Sequence, residues 1–247
     1  MKLAKTESSI KIYLFSTDQP GIERLLDQGK HLLTTEERLR AARTSHDEVR
    51  KLYVASRILL RKKLAEYLKT DPGSLIFGIH SLGKPFLSSH PQLEFNLSHS
   101  KKQIAIAVSD QFPLGVDIEY VKRKNRFIKI ANRYFSDPEC EQLEAAINKR
   151  DMFFNFWTLK EAYIKALGMG LRKGSKTFGF DLSSGINVWD QSLETEQTSF
   201  YSYRLTDDYH LSLCTLKKNI PPPSLCKLNL DFGESEAIPV HTLHQAD

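Results

Sequence analysis

Gly115-Val116-Asp117-Ile118-Glu119 alternates apolar and acidic residues, which is the pattern of a β-strand with two different faces. Val116 and Ile118 share one face of such a strand, and Asp117 and Glu119 share the other. Two carboxylates on one face can hold a hard divalent cation, because Mg²⁺ prefers carboxylate oxygens and fills its other positions with water and substrate phosphates. A strand with one solvated face explains the same alternation, and these five residues by themselves favour that simpler interpretation.

A second informative stretch reads Phe156-Trp157-Thr158-Leu159-Lys160-Glu161-Ala162-Tyr163-Ile164-Lys165. At helical spacing, Trp157, Glu161 and Lys165 lie in one row, each one turn from the next. An exposed Glu–Lys pair at this spacing is common and contributes only a few tenths of a kcal/mol, so the pair by itself does not indicate a site. The acidic strand changes this interpretation, because Glu161 can supply a third carboxylate to Asp117 and Glu119.

The apolar pattern along the chain predicts an α+β protein of two similar halves, each running from a strand through helices to further strands. The predicted halves are residues 1–110 and 111–220, and a peripheral acidic tail, residues 221–247, begins at the three prolines 221–223. Capping boxes that pair Thr34 with Glu37 and Ser136 with Glu139 predict two helix starts. The predicted helices include residues 46–68, 127–134 and 153–167, and the predicted strands are residues 10–15, 75–77, 93–96, 104–108, 115–120, 200–205 and 210–216.

Length, composition and charge place the chain among soluble globular proteins. It has 247 residues, 40% hydrophobic and 26% charged, with no signal peptide and no apolar run near the roughly 18 residues of a membrane span. Three widely spaced cysteines, Cys140, Cys214 and Cys226, predict reduced thiols in the cytoplasm. The net charge is +5, but residues 1–230 carry +9, because residues 231–247 hold four acidic residues and no lysine or arginine. This excess suits a polyanionic ligand, an acidic protein or nucleic acid, and charge does not choose among them.

A third group of residues, in the first half, carries donors suited to phosphate. Gly83-Lys84-Pro85 predicts a rigid turn that presents a lysine, and Asn96-Leu97-Ser98-His99-Ser100 ends a predicted strand with hydroxyls and an imidazole. Arg57 and Arg61 lie one turn apart on the long helix. Each feature has a simpler explanation, namely a turn, a strand-end cap and a solvated helix face, and taken singly the simpler explanation is favoured.

Taken together and in order, these residues resemble the 4'-phosphopantetheinyl transferases, specifically the longer, surfactin-synthetase-activator type. The resemblance spans residues 35–171 and implies an α+β pseudo-dimer of two similar α/β halves with the active site at their interface. It also implies the reaction, in which the 4'-phosphopantetheine arm of coenzyme A is transferred to a serine of an apo acyl, peptidyl or aryl carrier protein, with release of adenosine 3',5'-bisphosphate. The stretches that carry the resemblance are residues 83–85, 96–100, 115–119, 157–165, 168–171 and 133–136 ahead of Glu139, with the Arg57/Arg61 helix.

The resemblance implies a role for each matching residue. Asp117, Glu119 and Glu161 would hold Mg²⁺, with Mn²⁺ as the alternative, and Glu161 would also accept the serine proton, directly or through water. Lys165 would meet the phosphate on which charge grows as the bisphosphate leaves, with Lys160 beside it. Asp117, Glu161 and Lys165 are thus the implied catalytic residues. The implied coenzyme A contacts are Arg57, Arg61, Gly83, Lys84, Pro85, Ser98, His99, Lys160 and Lys165.

The resemblance further implies an acidic protein partner. The basic segment 121–127 and residues 135–136 are candidate docking surfaces for a carrier protein, with a solvated face as an equal alternative. Arg40, Arg43 and Arg50 are candidates for further coenzyme A contacts, and the sequence does not choose among them, nor does it indicate which carrier is modified. We expect a monomeric pseudo-dimer that acts away from membranes. A nucleic-acid-binding module is the less favoured alternative, since no RRM, KH or helix-turn-helix signature is present.

Overall fold

The computed structural model describes residues 10–122, 126–170, 174–206, 208–236, 239 and 241–244, which form two main β-sheets flanked by helices. Two short hairpins, β2–β3 and β7–β8, lie outside these sheets. The helices are α1 (Ile22–Gly29), α2 (Thr35–Ala42), α3 (Asp47–Leu68), α4 (Phe127–Tyr134), α5 (Asp137–Ala145) and α6 (Lys149–Leu167). The strands are β1 (Lys11–Ser16), β2 (Phe77–Ile79), β3 (Pro85–Leu87), β4 (Glu94–Ser100), β5 (Gln103–Ser109), β6 (Leu114–Tyr120), β7 (Phe178–Asp181), β8 (Asn187–Asp190), β9 (Ser199–Thr206), β10 (Tyr209–Thr215), β11 (Ser224–Leu228), β12 (Glu234–Glu236) and β13 (His241–His244).

The two halves repeat one order of elements. Each begins with a strand, continues through three helices and a short hairpin, and ends with two adjacent antiparallel strands. The corresponding strands are ordered β1-β5-β4 in the first sheet and β6-β10-β9 in the second, so the first strand of each half pairs with the last. The predicted α+β pseudo-dimer is therefore confirmed at the level of topology.

The inner faces of the two sheets pack against each other, and helices cover the outer faces. Val116 and Ile118 of β6 belong to the core between the sheets, together with Ile12 and Leu14 of β1. Since side chains alternate along a strand, Asp117 lies on the opposite side of β6, which is the side that α6 covers. The acidic face of this strand is therefore enclosed by a helix rather than solvated.

Gly115 allows α6 to pack directly on β6. A Cβ atom at this position would lie 2.1 Å from the carbonyl oxygen of Ala162 and 2.4 Å from the backbone nitrogen of Ala166, both on α6. A residue with a side chain cannot occupy this position without moving the helix. The missing side chain thus brings Glu161 and Lys165 of α6 close to the acidic residues of β6.

β4 and β6 are the edge strands of their sheets, and side chains of β4 join them. The joining side chains stand at alternate positions of β4 and accept hydrogen bonds from alternate backbone N–H groups of β6. We call this row the seam; it supplies acceptors to an edge that would otherwise be open. Its three bonds run from Val116 N–H to Asn96 Oδ1 (2.9 Å), from Ile118 N–H to Ser98 Oγ (3.3 Å) and from Tyr120 N–H to Ser100 Oγ (3.1 Å).

The C-terminal segment contributes to both sheets and is not the peripheral tail that we predicted for residues 221–247. β11 runs parallel to β1, β12 pairs with β11, and β13 pairs with β9 of the second sheet. Glu234 of β12 lies 2.9 Å from Nζ of Lys63, whose side chain is fully buried on α3. One of the acidic residues that suggested a solvated tail therefore neutralises a buried cation, and residues 245–247 lie outside the described part.

The strong periodic patterns predicted their elements to within a few residues, as α3, α4 and β6 show. Both capping boxes are present, at the starts of α2 and α5. The sequence did not predict α1, the strands β3, β7 and β8, or β11 to β13, all of which are short. No helix in the described ranges combines the length and apolar character needed to cross a membrane.

Candidate functional site

Asp117 lies where β6, α6 and the seam meet. Its Oδ1 accepts hydrogen bonds from the Lys165 ammonium (2.6 Å) and the Ser98 hydroxyl (2.8 Å). Its Oδ2 is enclosed by protein and has no hydrogen-bond partner within the described residues. A buried carboxylate oxygen without a partner is costly, so this atom is well placed to bind a cation.

Two further carboxylates lie near Asp117. Glu119 Oε2 accepts a hydrogen bond from Ser100 Oγ at 2.6 Å. Glu161 is partly buried; loss of water and then the negative charge of Asp117 raise its pKa, Glu119 adds to the rise, and Lys165 opposes it. The three carboxylates are therefore close enough for their charges to repel one another.

The chemistry of this acidic group suits a hard divalent cation such as Mg²⁺. Asp117 through its Oδ2, Glu119 and Glu161 are the residues that could hold it. As they stand, no three His, Cys, Asp or Glu side chains among the described residues are arranged to hold a metal ion. Binding a cation would require these carboxylates to move closer together. Their mutual repulsion opposes this movement, and the positive charge of a cation would offset that repulsion.

Lys165 approaches the carboxylates from α6, one turn beyond Glu161. Besides Asp117, its ammonium donates to Ser98 Oγ (3.1 Å) and to the carbonyl oxygen of Val116 (3.2 Å). The structure thus brings together Asp117, Glu161 and Lys165, the three residues implied to be catalytic. Lys165 is bound to Asp117 here, and its role at a phosphate stays a prediction.

A cleft of about 290 Å³ opens beside Glu161 and Lys165. Its opposite wall is the turn of the β2–β3 hairpin, where Gly83 has a φ of +95°, a left-handed conformation that glycine adopts without strain. The Gly83 N–H donates to the His80 carbonyl at 2.8 Å and closes this turn. The cleft is lined by Leu82, Gly83, Lys84, Pro85, Asn96, Glu161, Ile164, Lys165, Gly168 and Gly170.

The Lys84 ammonium ties the hairpin of the first half to the second half. It donates to Glu94 Oε2 (3.1 Å), to the carbonyl oxygen of Leu114 (3.2 Å) and to that of Ala166 (3.4 Å). These acceptors belong to β4, to the start of β6 and to the end of α6. A phosphate bound by Lys84 would have to compete with them.

A second cleft, of about 410 Å³, contains arginines of α2 and α3 and shares Pro85 with the first. The guanidinium groups of Arg40 and Arg57 lie over the Tyr53 ring, 5.0 and 5.3 Å from its centroid. Of the three upstream candidates, Arg40 is the one that lines this cleft. Arg50 donates to Asp47 at 2.6 Å and lines a different cleft, and Arg43 is exposed at the end of α2.

Arg61 is buried and bound to neighbouring side chains, whereas the sequence suggested a contact with coenzyme A. Its side chain is 4% exposed and lies over the Phe77 ring. Its two terminal nitrogens reach the two carboxylate oxygens of Glu37 at 3.2 and 3.0 Å, and Glu37 also completes the capping box of α2. Arg57 is 3.8 Å from the same carboxylate and more exposed, so it is the better placed of the pair to meet an anion.

His99 connects the two clefts electrostatically. His99 is exposed on β4, but loss of water around part of its ring and then the positive charges of Lys165, Arg57 and Arg40 lower its pKa. The same charges mean that an anion near His99 would be attracted from both clefts.

Lys160 is not brought to this site, contrary to its implied contact with coenzyme A. Its ammonium donates to both carboxylate oxygens of Glu139 (3.0 and 2.8 Å) and to the carbonyl oxygen of Phe178 (2.9 Å). Burial lowers its pKa, and the fully buried Glu139 counteracts this. Adjacent residues of a helix point about 100° apart, so Glu161 faces β6 whereas Lys160 faces α5 and β7.

Of the two predicted docking surfaces, one is buried in the structure and the other is partly exposed. Phe135 and Ser136 are buried in the second half, so they cannot form a docking surface. Within segment 121–127, residues 123–125 lie outside the described ranges, as does Leu171 of the 168–171 stretch. The neighbouring helix α4 exposes Lys129 and Arg133, and Arg126 is exposed at its N-cap.

Sequence reasoning missed the role of the seam. Ser100 was counted only among the phosphate-donor hydroxyls of stretch 96–100, and Asn96 was treated as part of a strand end. A signal was present, because Asn96, Ser98 and Ser100 alternate along one strand as Asp117 and Glu119 do along another. What the sequence could not provide was that these two strands are neighbours.

The chain matches two family models over adjoining segments. Residues 19–111 match the N-terminal model of 4'-phosphopantetheinyl transferases, and residues 113–214 match the 4'-phosphopantetheinyl transferase superfamily. The junction between the segments falls between β5 and β6, where the first half ends and the second half begins.

Individual relatives extend this similarity over most of the chain. The chain is 31% identical over 208 residues to a 4'-phosphopantetheinyl transferase of Bacillus subtilis, covering 83% of this chain and 92% of the relative. It is 35% identical over 176 residues to 4'-phosphopantetheinyl transferase HetI of a Nostoc species (69% and 73% covered), and 26% identical over 215 residues to 4'-phosphopantetheinyl transferase Sfp of Bacillus subtilis (86% and 95%). These matches confirm the predicted family: the chain belongs to the 4'-phosphopantetheinyl transferase superfamily, as an enzyme of the surfactin-synthetase-activator type.

Proposed function

We propose that this site transfers the 4'-phosphopantetheine arm of coenzyme A to a serine hydroxyl of an apo carrier protein, with Mg²⁺ and with release of adenosine 3',5'-bisphosphate. The observation that carries the proposal is the meeting of Asp117, Glu161 and Lys165 beside the cleft walled by residues 83–85. In the reaction the serine oxygen bonds to the phosphorus that bears pantetheine, and the bond from that phosphorus to the leaving phosphate breaks. A site for this step must accept one proton and stabilise growing negative charge.

Glu161 is the proposed acceptor of the serine proton. Its partial burial and the neighbouring Asp117 raise its pKa toward neutral, and a base works best when its pKa lies near the working pH. When bound by Asp117, Glu119 and Glu161, Mg²⁺ would supply charge neutralisation at the pyrophosphate oxygens. The unpartnered Oδ2 of Asp117 supports this assignment.

Lys165 is the proposed partner of the leaving phosphate. Its ammonium already lies at the edge of the 290 Å³ cleft and is held by three acceptors, of which Asp117 is the closest. The four-carbon stem of a lysine allows the ammonium to turn from Asp117 toward a phosphate in that cleft. A fixed cation at that point stabilises the charge that develops as the bisphosphate leaves.

Coenzyme A is proposed to extend across both clefts. The arginine cleft, with Arg40, Arg57 and the nearby His99, suits the phosphorylated adenosine end, because guanidinium groups bind phosphate in a forked geometry. The smaller cleft, beside Glu161 and Lys165, would hold the pyrophosphate and the start of the pantetheine arm. Both clefts are lined by Pro85, so one extended ligand can span them.

The carrier protein is proposed to dock against the basic surface of α4. Arg126, Lys129 and Arg133 are exposed there at positions i, i+3 and i+7, which places them on one face of the helix. Such a face complements an acidic partner. We place the reaction in the cytoplasm, in keeping with the free thiols of all three cysteines. We also propose that the enzyme acts as a monomer.

The proposal is tested by incubating the purified protein with coenzyme A, Mg²⁺ and a panel of apo carrier proteins, followed by intact-mass measurement. At least one carrier should gain the mass of phosphopantetheine, and chelation of the metal should stop the gain. Asp117→Ala and Glu161→Gln should stop it as well while the protein stays folded. If no carrier gains mass, the proposed reaction is wrong; if chelation has no effect, the metal assignment is wrong.

A further inference from the structure

Ser98 and Ser100 of β4 each contact two different groups of β6. Each accepts a hydrogen bond from a backbone N–H as part of the seam, and each donates its proton to the carboxylate one residue earlier on β6. The donated bonds are Ser98 Oγ to Asp117 Oδ1 (2.8 Å) and Ser100 Oγ to Glu119 Oε2 (2.6 Å), and the accepted ones come from Ile118 N–H (3.3 Å) and Tyr120 N–H (3.1 Å).

The hydrogen-bonding capacity of Ser98 is fully used. A hydroxyl offers one proton and two lone pairs. Ser98 gives its proton to Asp117 and accepts from the Ile118 N–H and the Lys165 ammonium (3.1 Å). Its side chain is also buried, at 7% exposure. The Ser98 hydroxyl is therefore directed at Asp117 in this structure, and the coenzyme A contact that the resemblance implies for Ser98 stays a prediction.

The pattern of donors decides which carboxylate oxygen of Asp117 is available. Ser98 and Lys165 both bind Oδ1, and Oδ2 is left buried without a partner. The direction of the Ser98 proton is itself constrained, because the oxygen is held at the same time by the backbone of β6. The seam thus fixes the rotation of the carboxylate.

We infer that Ser98 and Ser100 are positioning residues that orient the carboxylates of Asp117 and Glu119 for a divalent cation. In this role they act through the two acidic residues, to which each donates its hydroxyl proton. The inference rests on the proposed function, because it needs these carboxylates to be metal ligands. It also means that the first half of the chain controls the metal affinity of ligands carried by the second half.

Asn96 provides a matched control on the same strand. It accepts the Val116 N–H at 2.9 Å and so makes the same kind of seam bond as the serines. Within the described part of the chain it makes no hydrogen bond to a carboxylate, and the residue is as buried as the two serines, at 6% exposure. Asn96→Ala therefore removes a seam bond without releasing a metal ligand.

The test measures Mn²⁺ binding by electron paramagnetic resonance, alongside thermal unfolding, for the wild type, Ser98→Ala, Ser100→Ala and Asn96→Ala. Because Asn96 also lines the 290 Å³ cleft, the coenzyme A affinity of each protein is measured first, and each is then saturated with coenzyme A for the Mn²⁺ titration. All three variants should unfold at a lower temperature by a similar amount, since each leaves one β6 N–H without its acceptor. Loss of an outer contact to a ligand typically weakens metal binding about 10- to 100-fold. We expect this weakening for the two serine variants and a change below about twofold for Asn96→Ala.

Each outcome has one meaning. The serines only hold the strands together if their variants bind Mn²⁺ as the wild type does. The same conclusion follows if all three variants lose Mn²⁺ affinity equally. A wild-type protein that binds no Mn²⁺ would overturn the metal site of the proposed function and this inference with it. If a serine variant does not fold, the metal affinity of the other one decides the result.

Discussion

Replacing Gly115 by alanine tests how the active site is assembled. The added Cβ would lie 2.1 Å from the carbonyl oxygen of Ala162 and 2.4 Å from the nitrogen of Ala166, so it collides with backbone rather than with a movable side chain. Ordinary contact begins at 3.4 Å, and α6 would have to withdraw from β6 by about 1.3 Å. That movement would carry Glu161 and Lys165 away from Asp117.

The magnitude follows from two opposing effects. Overpacking of a well-packed contact costs about 1–3 kcal/mol, and alanine returns about 0.4–1 kcal/mol by restricting the unfolded chain. A net loss of about 1–2 kcal/mol should lower the melting temperature by about 2–8 °C in a protein of this size. Misplacement of a catalytic group by 1 Å can reduce the rate about 100-fold. The signature is therefore a folded protein with a disproportionate loss of activity.

The assay compares thermal unfolding and carrier modification rates for the wild type, Gly115→Ala and Gly73→Ala. Gly73 is the control, since its added Cβ would meet the end of the Asp71 side chain at 2.9 Å, in an exposed turn after α3 that belongs to neither β6 nor α6. The control should keep its rate within about twofold. A Gly115→Ala protein that keeps both its melting temperature and its rate would refute the direct packing of α6 on β6.

Three further substitutions test buried charges. Lys160→Met leaves the buried Glu139 carboxylate without its cation, although the hydrogen bonds from Ser136 and from the Phe180 N–H remain. It should therefore cost about 3–5 kcal/mol in urea unfolding. An unchanged midpoint together with a raised KM for coenzyme A would instead return Lys160 to the binding site. Folding raises the pKa of Glu161. The metal-free protein therefore loses stability as the pH rises from the pKa of Glu161 in the unfolded chain through its higher pKa in the folded protein. Glu161→Gln should remove this loss and raise the metal-free melting temperature at pH 7, by about 2–4 °C if about 1 kcal/mol is recovered. A variant that melts at a lower temperature than the wild type would contradict the repulsion among the carboxylates. Glu234→Ala should destabilise the protein by about 1–3 kcal/mol because buried Lys63 loses a partner. The control, Glu236→Ala at an exposed position of the same strand, should change the free energy of unfolding little. Equal effects of the two substitutions would count against a special role for Glu234.

Much of the fold could be predicted from local patterns. The alternation in residues 115–119 and the helical spacing of residues 157–165 identified β6 and α6 and placed two carboxylates on one strand face. The capping boxes at Thr34 and Ser136 identified helix starts because the partner residue stands a fixed three positions away. Short elements such as β3 or β12 carry too few residues for a period to be visible.

The site was predicted less completely, because side-chain roles depend on neighbours that are distant in sequence. Lys160 and Lys165 are both lysines of one helix with an acidic residue between them, yet one binds buried Glu139 and the other Asp117. Their difference is set by which strand or helix faces each side of α6. The acidic tail was misread for the same reason, since nothing near Glu234 in sequence reveals the buried Lys63.

The contributions of the two halves explain why the proposed active site lies at their junction. The second half supplies the carboxylates and Lys165, and the first half supplies the seam serines, the β2–β3 hairpin and the arginine cleft. Backbone pairing between β4 and β6 would use the N–H groups of β6 without presenting any side chain to the carboxylates. Pairing through serine hydroxyls satisfies those N–H groups and also directs protons at Asp117 and Glu119. The contact that joins the two halves is therefore also the contact that orients the acidic residues, and a change in its register would disturb assembly and catalysis together.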